Sequence, residues 1–246
     1  MVILMEKLRI YRFQKNRFYG GVATAFCGEC NINCIYCYSQ NHRNTGKYLE
    51  AEEIGEKLVK LIDKHDLKYA RISGGDPLSK YSELEKVLNY VLSRRDVKMI
   101  VETNGIEIGR NPEIADSLSQ FGEDNLIVRV SVKHFDPEKF HYITGAPEDW
   151  CVLTFDGLKV LREKEVPHII SWMEEWFNGG EWAAWFEFLE EKEYCKPAGD
   201  YPSADEWFED QLLIDPESFR KYPSVPVSKK EILNKLREID IEHGVE

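Results

Sequence analysis

The sequence predicts a partial, TIM-like (β/α)6 barrel of parallel strands with an irregular helical C-terminal extension. Three observations lead there. Short apolar runs alternate with longer stretches of helical periodicity, each run closes on a turn or loop signal, and 246 residues at 43% hydrophobic content can bury one sizeable core. Strands alternating with helices imply right-handed crossovers and functional loops gathered at the carboxyl ends of the strands. Residues 1–215 are expected to form the barrel and 216–246 a helical tail packed on it.

The first predicted strand is the apolar stretch 21–26, which runs directly into a crowd of cysteines, so these sit on the loop that follows. Residues 50–64 carry Ile54, Leu58, Leu61 and Ile62 at helical spacing, and 69–73 form a second strand closed by Gly74 and Gly75. A helix follows with Leu84, Val87, Leu88 and Val91 on one face. Residues 98–103 are a strand ending at Asn104-Gly105, and 127–132 a strand ending at Lys133 and His134, with helices over 111–120 and 152–164. A fifth strand spans 166–172, with Pro167 at its beginning, where a missing donor is tolerated. Beyond it lie an aromatic helix over 181–191, a loop rich in Pro, Gly and acidic residues from 195 to 210, and a sixth strand at 212–214. An amphipathic helix over 229–238 closes the chain through Ile232, Leu233 and Leu236.

Forty-four acidic against 32 basic side chains give a net charge of −12, which offers no overall footprint for gripping phosphate backbones. Nucleic acid, including tRNA, is a disfavoured partner. Residues 1–5 are apolar only as far as Glu6, too short for a signal-peptide core or a membrane span, so no membrane association and a cytoplasmic location are expected. Four of six cysteines fall within residues 27–37 while Cys151 and Cys195 stand alone, a distribution that suits metal chemistry in a reducing compartment better than a disulfide framework.

Cys30, Cys34 and Cys37 are spaced Cys-x-x-x-Cys-x-x-Cys. Three thiols in that pattern can hold an iron-sulfur cluster while leaving one iron without a protein ligand. Two-cluster ferredoxins use a tighter run with a fourth cysteine and a following proline, and structural zinc takes four ligands, usually in two separated pairs. Cys27 keeps a second arrangement open, in which four thiolates close around zinc or a redox cluster. The plainer role for Cys27 is a small packed residue at the end of a strand.

With Tyr36 just before the last cysteine, these residues resemble the signature of radical S-adenosylmethionine enzymes. The resemblance implies a [4Fe-4S] cluster on Cys30, Cys34 and Cys37, S-adenosylmethionine on the fourth iron, and reductive cleavage to a 5′-deoxyadenosyl radical that abstracts a hydrogen atom. It also implies a reductant such as flavodoxin or ferredoxin. Ser73-Gly74-Gly75-Asp76-Pro77 resembles the family's glycine-rich motif, whose backbone contacts the methionine amino group; alone it would read as a turn capped by Asp76. Glu102-Thr103-Asn104-Gly105 and the stretch from Ser131 through Lys133 to Gly145 look like segments of glycyl-radical-enzyme activating enzymes. That likeness puts Glu102 and Thr103 near the cofactor carboxylate and a monovalent cation, and Lys133 in contact with the cofactor. The subgroup usually has aspartate where Ser131 stands, so the cation site departs from the pattern. Tyr36, Gly74, Gly75, Asp76, Pro77, Asn104 and Ser131 complete the expected cofactor-binding set.

The resemblance covers residues 19–146 and leaves the last hundred, where substrates are usually chosen, without a match. Trp172, Trp176, Trp182 and Trp185 with Phe177, Phe186 and Phe188 read first as core packing; walling a substrate cavity or meeting a partner is the competing role. His134 and His168 are placed to approach a site, though each also suits a structural position. Three functions stay open: an activating enzyme acting on a glycine of a partner glycyl radical enzyme, a radical enzyme acting on a small molecule, peptide or tRNA, and a non-catalytic iron-sulfur or zinc protein.

Overall fold

Seven short runs of β-branched and apolar residues become the strands β1 (Leu8–Asn16), β2 (Val22–Cys27), β3 (Lys47–Leu49), β4 (Tyr69–Gly74), β5 (Lys98–Thr103), β6 (Leu126–Ser131) and β7 (His168–Ser171) of a computed structural model. It describes residues 7–173, Glu181, Ala184, Trp185 and Phe188, and residues 229–242. The strands form one sheet in the order β3-β1-β2-β4-β5-β6-β7. From β2 to β7 all neighbours run parallel, in the register Ala25 with Ile72, Ile72 with Val101, Val101 with Val128 and Val130 with Ile170. These are the five predicted parallel strands, and the open sheet they make is that of a partial barrel. The sixth predicted strand, the boundary at residue 215 and the loop 195–210 lie outside the described residues.

The two strands absent from the sequence reading, β1 and β3, are antiparallel and occupy the edge. Only five residues separate β1 from β2, and so short a link can only reverse the chain. Tyr19, Gly20 and Gly21, all with positive φ, make that reversal. Leu8 and Ile10 are buried with half-exposed residues between them, a one-faced alternation too brief to stand out beside the charged Arg9 and Arg12.

Helices cover the sheet. α1 (Ala51–His65) buries Ile54, Leu58 and Ile62, and α2 (Tyr81–Leu92) buries Leu84, Val87, Leu88 and Val91, the predicted faces. The predicted helix over 111–120 is α4 (Glu113–Ser119), preceded by a short α3 (Ile106–Arg110). α5 (Pro137–Thr144) was not read from periodicity, but its ends are written in the chain. The Asp136 carboxylate accepts from Lys139 N, Pro137 sits in the first turn, and Gly145 at φ 65° stops the helix. α6 (Trp150–Glu163) follows, and the last described helix (Lys229–Glu242) buries Leu236 and Ile239. Among the described residues no helix is long and apolar enough to cross a membrane.

Candidate active site

β2 ends at Cys27, and the loop after it carries the other three crowded cysteines. Backbone bonds fix this loop on both sides: Gly28 N donates to Arg9 O at 2.9 Å, while Asn33 N and Ile35 N donate to the carbonyls of Thr144 and Ile143 at the end of α5 (2.8 and 2.9 Å). Cys30 and Cys37 are half-buried and Cys34 is buried. All three line a cavity of about 230 Å³ at the carboxyl ends of the parallel strands. Cys27 does not line it. Its thiol is in the core, its carbonyl accepts from Gly75 N at 2.8 Å, and burial pushes the thiol well above its usual range.

The glycine-rich end of β4 forms the next wall. Gly75 N and Asp76 N donate to the carbonyls of Cys27 and Glu29, both at 2.8 Å, so this turn is stitched to the start of the cysteine loop. Ser39, two residues past Cys37, donates to Gly74 O at 3.1 Å and has its hydroxyl 3.3 Å from Cys37 Sγ. Asp76 is buried, and its carboxylate receives the Thr103 hydroxyl (2.9 Å), Asn104 N (2.8 Å) and Leu78 N (3.1 Å). Burial raises this carboxyl to about 6 despite those donors. Asn104 turns its amide to Asn31 Oδ1 at 2.6 Å, and Asn31 donates to Glu107 at 2.8 Å, which ties the cysteine loop to the end of β5 and to α3.

Lower in the cavity, Glu102 Oε1 accepts from Arg71 and Arg129, each at 3.1 Å, and its second oxygen accepts from the Ser73 hydroxyl. Since Ser73 spends its proton there, Tyr38 donates to Ser73 (3.1 Å). Burial pushes the Glu102 carboxyl upward, but the two guanidinium groups and Ser73 outweigh it, and its pKa falls below the usual value. Lys133 donates to Ser131 at 2.7 Å and lies 5.7 Å from the centre of the Tyr36 ring.

Of the thirteen residues expected at the site, all but Pro77 line this one cavity; Pro77 is buried in the 3-10 turn that Asp76 caps. Ile32, Tyr38, Ser73, Arg129, Ser171, Trp172 and Met173 complete the lining. Arg129 was legible through the alternation that sets it on the face of Ser131 and Lys133. Trp172 lines the cavity, while Trp185 is fully buried and meets it edge-on at 5.7 Å. His134 is buried outside the lining, Cys151 is buried 3.4 Å from the His134 carbonyl, and His168 pairs with Val166 O at 2.7 Å. Trp176, Trp182, Phe177, Phe186 and Cys195 lie outside the described residues.

The donor set suits a cluster. Burial, with Asp76 and Cys34 adding to it, pushes the Cys30 thiol up to about 12, and burial likewise raises Cys34, so these thiols stay protonated until a metal takes the place of their protons. Lys133 works in the other direction on both. Among the described residues no three His, Cys, Asp or Glu side chains converge on a point that one metal ion would occupy. A cube of four irons would need no such point, because each thiolate would bind a different iron.

The Radical SAM superfamily model matches residues 25–173, more than half of the chain. Among curated proteins, a probable GTP 3′,8-cyclase of Methanococcus aeolicus is 33% identical over 134 residues, covering 53% of this chain and 42% of the relative. One from Archaeoglobus fulgidus is 31% identical over the same length, with the same coverage. The chain thus matches well under half the length of these relatives. Among solved structures, Streptococcus suis SuiB bound to S-adenosylmethionine superposes with a TM-score of 0.54 at 15% identity, over 80% of this chain and 47% of that one. Native anSMEcpe with bound AdoMet gives 0.54 at 15% identity over 89% and 60%. At that identity the likeness is one of fold.

Proposed function

The chain belongs to the radical SAM superfamily, which uses a [4Fe-4S] cluster and S-adenosylmethionine, and from that premise we propose that Cys30, Cys34 and Cys37 hold the cluster of an enzyme acting on a small molecule. When bound, the pair of cofactors supplies a 5′-deoxyadenosyl radical that takes a hydrogen atom from the substrate. The chain's own part is to hold, orient and exclude. The backbone of Gly74 and Gly75 would receive the methionine end of S-adenosylmethionine, where the absence of side chains permits close approach. Asp76 sets the ends of β4 and β5 against each other through Thr103 and Asn104. Lys133, whose charge acts on the Cys34 thiol and whose ammonium lies 5.7 Å from the centre of the Tyr36 ring, would balance negative charge at the cluster.

One observation carries the reading: three cysteines of one loop and the glycine-rich end of the neighbouring strand face the same cavity, with Cys27 outside it. A small substrate is supported by the likeness to probable GTP 3′,8-cyclases, which makes GTP the first compound to assay. Anaerobic reconstitution, reduction and chromatography for 5′-deoxyadenosine test the proposal. An intact cluster that yields none sinks it, and iron retained in full by Cys30→Ala overturns the ligand assignment. Lys133 and the segment running to Gly145 favour a second reading, activation of a glycyl radical enzyme. Electron paramagnetic resonance of a mixture with such a partner decides it, since only that reading expects a stable protein radical.

A further inference from the structure

The charge of this chain is unevenly spread. Residues 7–48 hold seven lysines and arginines and a single acid, Glu29, although the whole chain carries −12. Two of the seven are spent: Lys7 pairs with Glu50 at 2.5 Å, and Arg9 lies 4.0 Å from Glu29. Arg12, Lys15, Arg17, Arg43 and Lys47 pair with no carboxylate among the described residues, and all but the half-buried Arg43 are exposed. Three of these five gather beside the cysteine loop. The return arm of that loop, residues 38–48, starts directly after Cys37 and contains no acid. It lies against β1: His42 stacks on Tyr11 with ring centres 4.4 Å apart, Asn44 N donates to Gly28 O at 2.8 Å, and Lys47 stands opposite Ile10 where β3 pairs with β1. Arg12 adjoins the arm, its guanidinium over the Tyr11 and Phe26 rings at 5.7 and 5.0 Å. Arg43 donates to Asn33 of the cysteine loop and, like Lys133, opposes the effect of burial on the Cys34 thiol. Lys15 and Arg17 stand at the far end of β1, opposite Ala23 and in the turn to β2.

Tyr38 joins this face to the cavity. The residue is 44% exposed, yet its hydroxyl reaches Ser73 inside the cavity at 3.1 Å, and the residue before it is Cys37. Here the loop that carries the cluster ligands comes to the surface. A chain of net charge −12 repels another acidic protein in most orientations; a local cationic face removes that repulsion at one place and steers the partner to it. Tyr48, 50% exposed on the same arm, adds apolar surface, and transient redox encounters need no larger patch. Three free cations are few beside the roughly 6–10 phosphate contacts of a protein that grips a nucleic-acid backbone. The cluster proposed on Cys30, Cys34 and Cys37 needs an electron from outside the chain. We propose that the arm 38–48 and Arg12 form the docking face for a small acidic protein that delivers electrons one at a time. One electron passes from the reduced centre of that protein to the oxidised cluster, and no covalent bond forms or breaks. This rests on the radical-enzyme reading and names the partner of its cofactor site.

The test is anaerobic stopped-flow reduction of the reconstituted full chain, read as bleaching of the cluster's visible absorption, with an acidic flavodoxin, an acidic ferredoxin and reduced methyl viologen as donors. Either protein should reduce the cluster at a rate that falls with added salt, and Arg12→Glu combined with Lys47→Glu should slow it about tenfold. Reduced methyl viologen, a small cation, should reduce that variant no more slowly than the wild type. Lys15→Glu combined with Arg17→Glu makes the same change in net charge at the far end of β1 and should hold every rate within about twofold. Iron per chain and the melting temperature report whether each variant is folded and loaded. If Arg12→Glu does not fold, Lys47→Glu stands alone, since Lys47 is exposed and makes no side-chain bond, and a wild-type rate in it overturns the proposal. So do rates indifferent to salt, equal slowing by the two pairs of substitutions, or reduction by neither protein. Transfer RNA bound by the wild type and lost in the Arg12 and Lys47 variant, with reduction rates unchanged, also overturns it and makes the face a nucleic-acid site. Charge-dependent reduction without S-adenosylmethionine cleavage counts against the radical-enzyme reading alone. Cleavage driven by methyl viologen in a chain that neither protein reduces counts against this inference alone.

Discussion

Gly75→Ala tests whether the junction between the glycine-rich strand end and the cysteine loop positions the cluster ligands. A Cβ at residue 75 would lie 1.7 Å from the Glu29 carbonyl oxygen, 2.5 Å from its carbon and 3.1 Å from Glu29 N, all backbone atoms with no rotamer to escape into. Restoring ordinary contact requires a shift of roughly 1–2 Å. Such a shift breaks the bonds from Gly75 N to Cys27 O and from Asp76 N to Glu29 O. At about 0.5–1.5 kcal/mol each the loss is about 1–3 kcal/mol, or roughly 2–12 °C in melting temperature for a chain of this size. Cys30 follows Glu29 directly, so the same displacement moves a cluster ligand, and iron per folded chain should fall beyond what instability explains. Gly122→Ala is the control: at φ +73° with nothing within 4 Å of an added Cβ, it costs about 1–2 kcal/mol through backbone strain and should keep its iron. Thermal melts followed by circular dichroism, with iron and sulfide assays, read both effects. A Gly75→Ala protein with full iron and a melting temperature within about 1 °C of wild type refutes the reasoning; equal loss of iron in both variants shows it to be generic.

Cys27→Ala should lose about 1 kcal/mol of stability and keep the cluster, whereas Cys30→Ala, Cys34→Ala and Cys37→Ala should each lose it, as read by visible absorption and iron content. Glu102→Gln leaves the guanidiniums of Arg71 and Arg129 facing each other without their carboxylate and should cost about 3 kcal/mol in denaturant unfolding. Because the folded pKa of Glu102 is depressed, its stabilisation is present above the usual value of 4.5 and is lost as pH falls through the folded value. That part of the acid limb should be missing in Glu102→Gln apo-protein, and an unchanged limb would show the charge pair to be unimportant. If the Ser39 proton turns from Gly74 O to the Cys37 thiolate when the cluster binds, Ser39→Ala should lower the cluster's midpoint potential, by about 59 mV for a bond worth tenfold in the one-electron equilibrium, while Ser39→Thr restores it. An unchanged potential removes Ser39 from that role.

Local pattern made much of this molecule legible. The apolar faces of α1 and α2 are the predicted ones, and the strand ends at Gly74, Thr103 and Ser131 fall where Gly-Gly, Asn-Gly and Lys-His stop the apolar runs. Strand β1, flanked by β3 and β2, was not legible because one of its faces is open to solvent, so charged residues interrupt its alternation. α5 escaped because eight residues offer little periodicity, although Asp136, Pro137 and Gly145 mark its ends.

The sequence by itself determined the cysteine spacing, the order of strands and helices, and thereby the rim on which Cys30, Gly74, Asn104 and Lys133 gather. These follow from contacts between residues close along the chain, where spacing and geometry are nearly the same thing. The spacing already set Cys27 apart as a packed strand-end residue, and tertiary structure supplies the reason: the pairing of Cys27 with Gly74 across β2 and β4 turns it into the core. Tertiary structure alone decided the charge at the bottom of the cavity. Arg71, Glu102 and Arg129 come from three strands and meet through parallel pairing, and no local feature of the chain records that one carboxylate will be shared by two guanidiniums.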